Sequence, residues 1–122
     1  MCPCVKNELH IISIDKMLER LLSYAPSEDN THIRYLLADA LQGVIHQELI
    51  PAADGGKRVG CEVMITTNAI RNVIRRGESH LLRNIIHTGK RYGMVTMRQS
   101  VTTLLEKGEI SAEMAERVLA NY

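Results

Sequence analysis

The sequence predicts an α+β domain that is rich in helix, in which a small antiparallel β-hairpin packs with about six short helices. Apolar residues recur at helical spacing along most of the chain. Two alternating segments flank a turn with two adjacent glycines, as in a β-hairpin. The 122 residues include no Phe and no Trp, so the core must be aliphatic, which favours helix packing over a β-sandwich. A chain of this length is expected to form one domain.

The N-terminal part is expected to contain a polar leader at residues 1–8 and then two helices. The first helix covers residues 14–22 and ends before Pro26, because proline cannot continue a helix. Ser27 is predicted to cap the second helix, which is the longest in the chain. The apolar stripe of this second helix is expected to comprise Ile33, Leu36, Leu37, Ala40 and Leu41.

The hairpin strands are predicted at residues 44–51 and 58–66. Gly55 and Gly56 are expected to supply the positive φ angles of the turn between them. Pro51 falls at the end of the first strand, where its missing N–H removes no hydrogen bond from the ladder.

The C-terminal half is predicted to be helical, with glycines at the helix ends. Asn68 is expected to cap a helix that ends at Gly77. Ser79 and Gly89 are expected to mark the start and the end of the next helix. Gly108 is expected to end the helix after it, and Ser111 to cap the last one.

The overall charge excludes a general attraction to nucleic acids or membranes. The net charge is +1, from 15 basic and 14 acidic side chains. No apolar run approaches the roughly 18 residues of a membrane span, so no membrane insertion is expected. The CPC segment lacks the two-residue spacer of a zinc knuckle. The three cysteines are therefore expected to be free thiols of a cytoplasmic protein.

The common catalytic and cofactor-binding motifs are missing from the sequence. The segment GGKR at residues 55–58 lacks the first glycine and the hydroxyl residue of the phosphate-binding loop GxxxxGK[ST]. His80 and His87 are seven residues apart, which is too far on one helix for a shared metal ion. We therefore predict no catalytic, metal-binding or nucleotide-binding residues in this chain.

Residues 69–76, AIRNVIRR, predict an amphipathic helix that carries three arginines. One side comprises Ala69, Ile70, Val73 and Ile74, and the other comprises Arg71, Asn72, Arg75 and Arg76. Arg71 and Arg75 are like charges at i,i+4, which disfavours an isolated helix by ~0.2–0.5 kcal/mol. The arginines form either a solvated basic face or a face that contacts an anionic partner. For a partner-binding face, replacing Arg71 or Arg75 by Ala should change the stability by no more than ~0.5 kcal/mol.

This same segment resembles the AIRNLIRE signature of the twitching-motility PilT family, the hexameric ATPases that retract type IV pili. Further blocks follow the family in order: LLADALQGVIHQELIP, RVGCEVMITTNAIRN, GESHLLRNIIHTG, GMVTMRQSV and LLEKGEISAEMA. The resemblance runs from about Leu9 to Ala115 and assigns residues 9–122 to a C-terminal domain fragment. His10 occupies the place of the family's histidine box, and Arg76 replaces the final glutamate of the signature.

The resemblance implies a domain that packs beside a RecA-like ATPase core and couples nucleotide state to pilus retraction. The motif residues that carry over are Ala69, Ile70, Arg71, Asn72, Val73, Ile74 and Arg75. The family uses ATP and Mg²⁺, but the Walker A and Walker B segments precede this region in the family and are not in this sequence. The chain is accordingly expected to be either a truncated reading frame or a stand-alone paralogue, without cofactor and without activity alone.

Three functions follow from these observations. The first is a non-catalytic interaction or coupling module that self-associates or binds a PilT-like ATPase or another protein of the pilus machinery. The second is an ATPase subunit whose active site is completed by another chain. The third is a small nucleic-acid-binding protein that uses the basic helices at residues 71–91, which the near-neutral charge disfavours.

Overall fold

The computed structural model describes residues 13–26 and 28–122, and it confirms the predicted α+β class for them. Within these residues, the structure contains six α-helices and one two-stranded antiparallel sheet. The elements are α1 (Ile14–Ser23), α2 (Asn30–Ala40), β1 (Gly43–Pro51), β2 (Lys57–Ile65), α3 (Asn68–Arg76), α4 (Leu82–Thr88), α5 (Met97–Glu106) and α6 (Ala112–Leu119). Short 3₁₀ turns precede and follow α4, at Ser79–Leu81 and Lys90–Tyr92. The leader at residues 1–8, His10 and the Ser27 cap lie outside the described residues.

Helix α2 is rotated relative to the predicted stripe. Its buried side chain is Ala38, whereas Leu36 and Ala40, both predicted to face the core, are exposed. The reason is tertiary, because α2 packs chiefly on α3, and the small side chain of Ala38 allows the two helices to approach closely. Leu37 and Leu41 flank this contact and are partly buried against the same core.

The hairpin forms as predicted, with Gly43 opposite Ile65 and Pro51 opposite Lys57. Gly55 has the expected positive φ of 89°, but the expectation for Gly56 is wrong. The Gly56 N–H instead donates to Oδ1 of Asp54 at 2.9 Å, so a side chain rather than a second left-handed residue closes the turn.

The inner face of the hairpin divides the core into two apolar clusters. The first contains Met64 and buried residues of α1, α2, α3 and α4. The second contains Ile50 and buried residues of α5 and α6. Gly60 lies at the second cluster, where a Cβ would come within 2.8 Å of Cδ1 of Ile50 and 3.0 Å of Sδ of Met97. A side chain at this position would therefore require the ends of the Ile50 and Met97 side chains to shift.

The helix ends of the C-terminal half are set by local chemistry, although two predicted caps are wrong. Thr67, not Asn68, caps α3, and its hydroxyl accepts the N–H of Ile70. Ser79 does not cap α4, because its hydroxyl donates to the carboxylate of Glu19 at 2.7 Å. Gly77 ends α3 at φ 71°, a left-handed conformation that glycine adopts without steric cost. The Ser111 cap of α6 is confirmed, as is the expected end of α5 before Gly108, which has φ 71°.

Candidate functional site

Helix α3 carries the signature residues, and the structure separates them into three environments. Ile70, Val73 and Ile74 are buried in the first cluster, as their spacing predicted. Ala69, which was placed with them, is exposed, as are Asn72 and Arg76. Arg71 and Arg75 are partly buried against α2.

Arg71 satisfies the C-terminal carbonyl groups of α2. This helix ends abruptly, because Leu41 is extended at φ −69° and ψ 127°, and its last turn contains no basic residue. The Nη1 atom of Arg71 donates to the carbonyl of Ala38, to that of Asp39 at 3.2 Å and to that of Leu41 at 3.3 Å. A guanidinium at a helix C-terminus also interacts favourably with the helix dipole.

Arg75 and Arg34 complete the joint between α2 and α3. Nη2 of Arg75 forms an ion pair with Oδ1 of Asp39 at 2.5 Å. In return, Nε of Arg34 donates to the carbonyl of Arg75 at 3.2 Å, and its Nη1 donates to Oδ1 of Asn30 at 2.8 Å. The anionic and dipolar partners of Arg71 and Arg75 thus lie within the chain itself.

These contacts change the expectation for the arginines. Arg71 is part of the fold, so its replacement should destabilise the protein, unlike the neutral effect expected for a partner-binding face. The sequence signal that was missed is the last turn of α2, which has no basic residue to interact with its carbonyls. A contact of the whole motif with a partner stays a prediction.

The hairpin exposes an apolar surface on the side away from the core, and we call it the outer face. It comprises Ile45, Leu49, Val59 and Ile65, which are 67%, 64%, 48% and 39% exposed. The register places Leu49 directly opposite Val59 and puts all four side chains on the same side of the sheet. Such a patch is uncommon on proteins that function as isolated monomers.

A polar network occupies the inner side of the same hairpin and was not predicted. The hydroxyl of Tyr122 donates to Oε2 of Glu48 at 2.9 Å and lies 2.7 Å from Nε2 of His46. Burial, followed by the hydrogen bond to Glu48, raises the pKa of Tyr122 well above its usual value. Glu62 is 5% exposed, and burial raises the pKa of its carboxyl as well.

The helices of the described residues are all too short and too polar to cross a bilayer. The longest, α2, has 11 residues.

No protein-family model matches this chain, but comparisons with individual proteins find type IV pilus and twitching-motility proteins. The type IV pilus retraction ATPase PilT of Pseudomonas aeruginosa is 38% identical over 111 residues, which cover 91% of this chain and 32% of that protein. A twitching motility protein of Neisseria gonorrhoeae is 33% identical over 118 residues, which cover 96% of this chain and 32% of that protein. The crystal structure of the pilus retraction motor PilT with bound ADP has a TM-score of 0.72 at 29% identity and covers 85% of this chain and 29% of the other.

The helices, the hairpin and the signature helix together define the C-terminal part of an ATPase fold. More particularly, the chain is homologous to the C-terminal part of the PilT twitching-motility ATPases. It spans about a third of the length of the relatives that it matches.

Proposed function

We propose that this chain is a non-catalytic interaction module of the PilT type, which acts in the cytoplasm by docking on a PilT-like ATPase through its outer face. The observation that carries this proposal is the exposed patch formed by Ile45, Leu49, Val59 and Ile65. The resemblance to PilT supports it, because the matched relatives are about three times longer than the segment that they share with this chain.

The physical basis is the removal of apolar surface from water. Fully burying an exposed aliphatic side chain contributes about 1.5–3 kcal/mol, and these side chains, which are 39–67% exposed, contribute a corresponding part of that before the entropy of association is subtracted. When no ATPase is present, two copies can cover their outer faces by pairing around a two-fold axis, which leaves no repeating contact open. Self-association of the isolated chain is therefore the expected behaviour.

Light scattering over a concentration series tests the role of the outer face. We expect the parent chain to dimerise and Leu49→Gln to shift the equilibrium towards monomer. The matched control is Leu36→Gln, since Leu36 is 51% exposed on α2 and lies outside the patch. Equal effects of the two substitutions, or a monomeric parent that binds no apolar dye, would contradict the proposal.

The same variants test docking on an ATPase. A PilT-like ATPase from the same cell should be retained by the immobilised parent chain and by Leu36→Gln, but much less by Leu49→Gln. Retention that is the same for all three chains would show that the outer face is not the docking surface.

The proposal includes the absence of nucleotide chemistry in the isolated chain. Phosphoryl transfer depends on positioned backbone amides, a lysine and a metal ligand, and the sequence has no phosphate-binding loop to supply them. Titration calorimetry with Mg-ATP should therefore detect no tight binding. A dissociation constant in the micromolar range would instead favour the alternative of an ATPase subunit that another chain completes.

The alternative of a nucleic-acid-binding protein loses part of its support. It relies on free cations along residues 71–91, and Arg71 and Arg75 are engaged with α2. Weak binding to oligonucleotides that does not depend steeply on salt is the expected result.

A further inference from the structure

A line of basic side chains runs along α4 and the neighbouring ends of α1 and α5, and we call it the basic groove. Its members are Lys16, Arg83, His87, Lys90 and Arg98. Its centre is a cavity of about 280 Å³ lined by Arg83, His87 and Arg98. A second cavity shares Arg83 and adds Lys16, and a third shares His87 and Arg98 and adds Lys90. Because the cavities share lining side chains, they lie next to one another and place these basic residues on one side of the protein.

The positive charge of the basic groove is poorly balanced by the protein. Within the described residues, Arg83 has one ion pair, with Asp15 at 3.6 Å, and Lys16, Lys90 and Arg98 have no ion pair or side-chain hydrogen bond. The whole chain has a net charge of only +1, so the excess is local. Unlike Arg71 and Arg75, whose partners lie in α2, these cations are available to an anion from outside.

Glu62 in the wall of the central cavity restricts what this anion can be. It lies on β2 between Met64, which belongs to the first cluster, and Gly60, which lies next to Ile50 and Met97 of the second, and it is only 5% exposed. Within the described residues it forms no ion pair, and burial raises the pKa of its carboxyl, which the backbone N–H of Ile14 and the positive charge of Arg83 offset only in part. A buried carboxyl group that borders a cavity favours a ligand with hydrogen-bond donors and repels a closely approaching anion.

An acidic polypeptide meets both requirements, whereas a DNA backbone meets only one. Its Asp and Glu side chains are carboxylates for the arginines, and its backbone N–H groups are donors for Glu62. A chain of phosphates has no donor to place against Glu62 and would bring more negative charge to it.

We propose that the basic groove binds an acidic segment of a partner protein, with carboxylates on Arg83 and Arg98 and backbone N–H groups towards Glu62. The groove does not coincide with the outer face, because Glu62 is paired with His46 and Ile45 with Val63, so that Glu62 and Ile45 point to opposite sides of the sheet. The proposal therefore goes beyond the docking function above and fails or holds independently of it.

Fluorescence anisotropy with a labelled octaglutamate peptide tests the proposal directly. We expect saturable binding that weakens about 10-fold or more in Arg98→Glu, as follows from losing a charge-assisted hydrogen bond. The matched control is Arg76→Glu, which makes the same charge change at an exposed position outside the groove. Both side chains are exposed, and circular dichroism melts should show that both variants fold.

Three outcomes would overturn the proposal. The first is that the peptide does not bind, or that Arg98→Glu and Arg76→Glu weaken binding equally. Equal weakening would show that binding depends only on the net charge of the protein. The second is that a labelled octathymidylate binds the parent as tightly as the peptide, which would identify a nucleic-acid surface. The third is that Arg98→Glu abolishes self-association measured by light scattering, which would identify a second copy of the chain as the occupant.

Discussion

The contact between Arg71 and the end of α2 leads to a quantitative prediction for Arg71→Ala. The substitution removes the donor that the carbonyls of Ala38, Asp39 and Leu41 share, and it leaves them at a helix end with no basic residue in its last turn. Since α2 contacts α3 more extensively than it contacts α1, loosening this end should weaken the joint between the two helices.

The magnitude follows from the geometry of the guanidinium group. Nη1 carries two hydrogens, so it can fully satisfy only two of the three carbonyls at one time. A hydrogen bond from a charged donor contributes about 1.5–3 kcal/mol, and the partial exposure of the site favours the lower end. After subtracting about 1 kcal/mol for ordering the arginine side chain, the expected loss of unfolding free energy is about 2 kcal/mol. For a domain of this size, that loss lowers the melting temperature by roughly 6–10 °C.

Urea denaturation followed by circular dichroism measures this loss, and Arg76→Ala is the matched control. Arg76 lies on the same helix, undergoes the same chemical change and is exposed. We expect Arg76→Ala to remain within about 0.5 kcal/mol of the parent. If Arg71→Ala is no less stable than Arg76→Ala, the three carbonyl contacts contribute nothing and the assignment of Arg71 to the fold is refuted.

Three further predictions concern other sites. Arg75→Ala should cost no more than about 1 kcal/mol, and added salt should reduce this cost, because the ion pair with Asp39 is largely exposed; denaturation at low and high salt measures it, and a salt-independent loss would contradict it. Thr67→Ala should cost about 1 kcal/mol in thermal melts and Asn68→Ala much less, since Thr67 is the cap of α3; the reverse order would restore the cap predicted from sequence. Burial raises the pKa of Glu62 above 4.5, so its ionisation destabilises the fold as pH rises through that range. Glu62→Gln should therefore be more stable than the parent near pH 7 and lose this advantage below about pH 4.5 in urea titrations, whereas an advantage that grows in acid would oppose the assignment.

Much of the local structure could be predicted from the sequence, because the forces that set it act over a few residues. The proline after α1, the alternation in both strands, Gly77 and Ser111 each determine a boundary through steric limits or one short hydrogen bond. The same holds for the family, since ordered blocks of sequence identify homologues without any knowledge of packing.

Contacts between distant residues could not be predicted, and they decided the functional surfaces. The face of α2 that is buried depends on how Ala38 fits α3, and Arg71 is more than 30 positions from the carbonyls of Ala38 and Asp39 that it satisfies. A helical pattern states which side chains share a face, but it does not contain the carbonyls, carboxylates or cavities that other elements bring to that face. The sequence by itself therefore determined most of the helices and strands and the family of homologues. Only the tertiary structure decided that Arg71 and Arg75 are used internally, while the outer face and the basic groove are exposed.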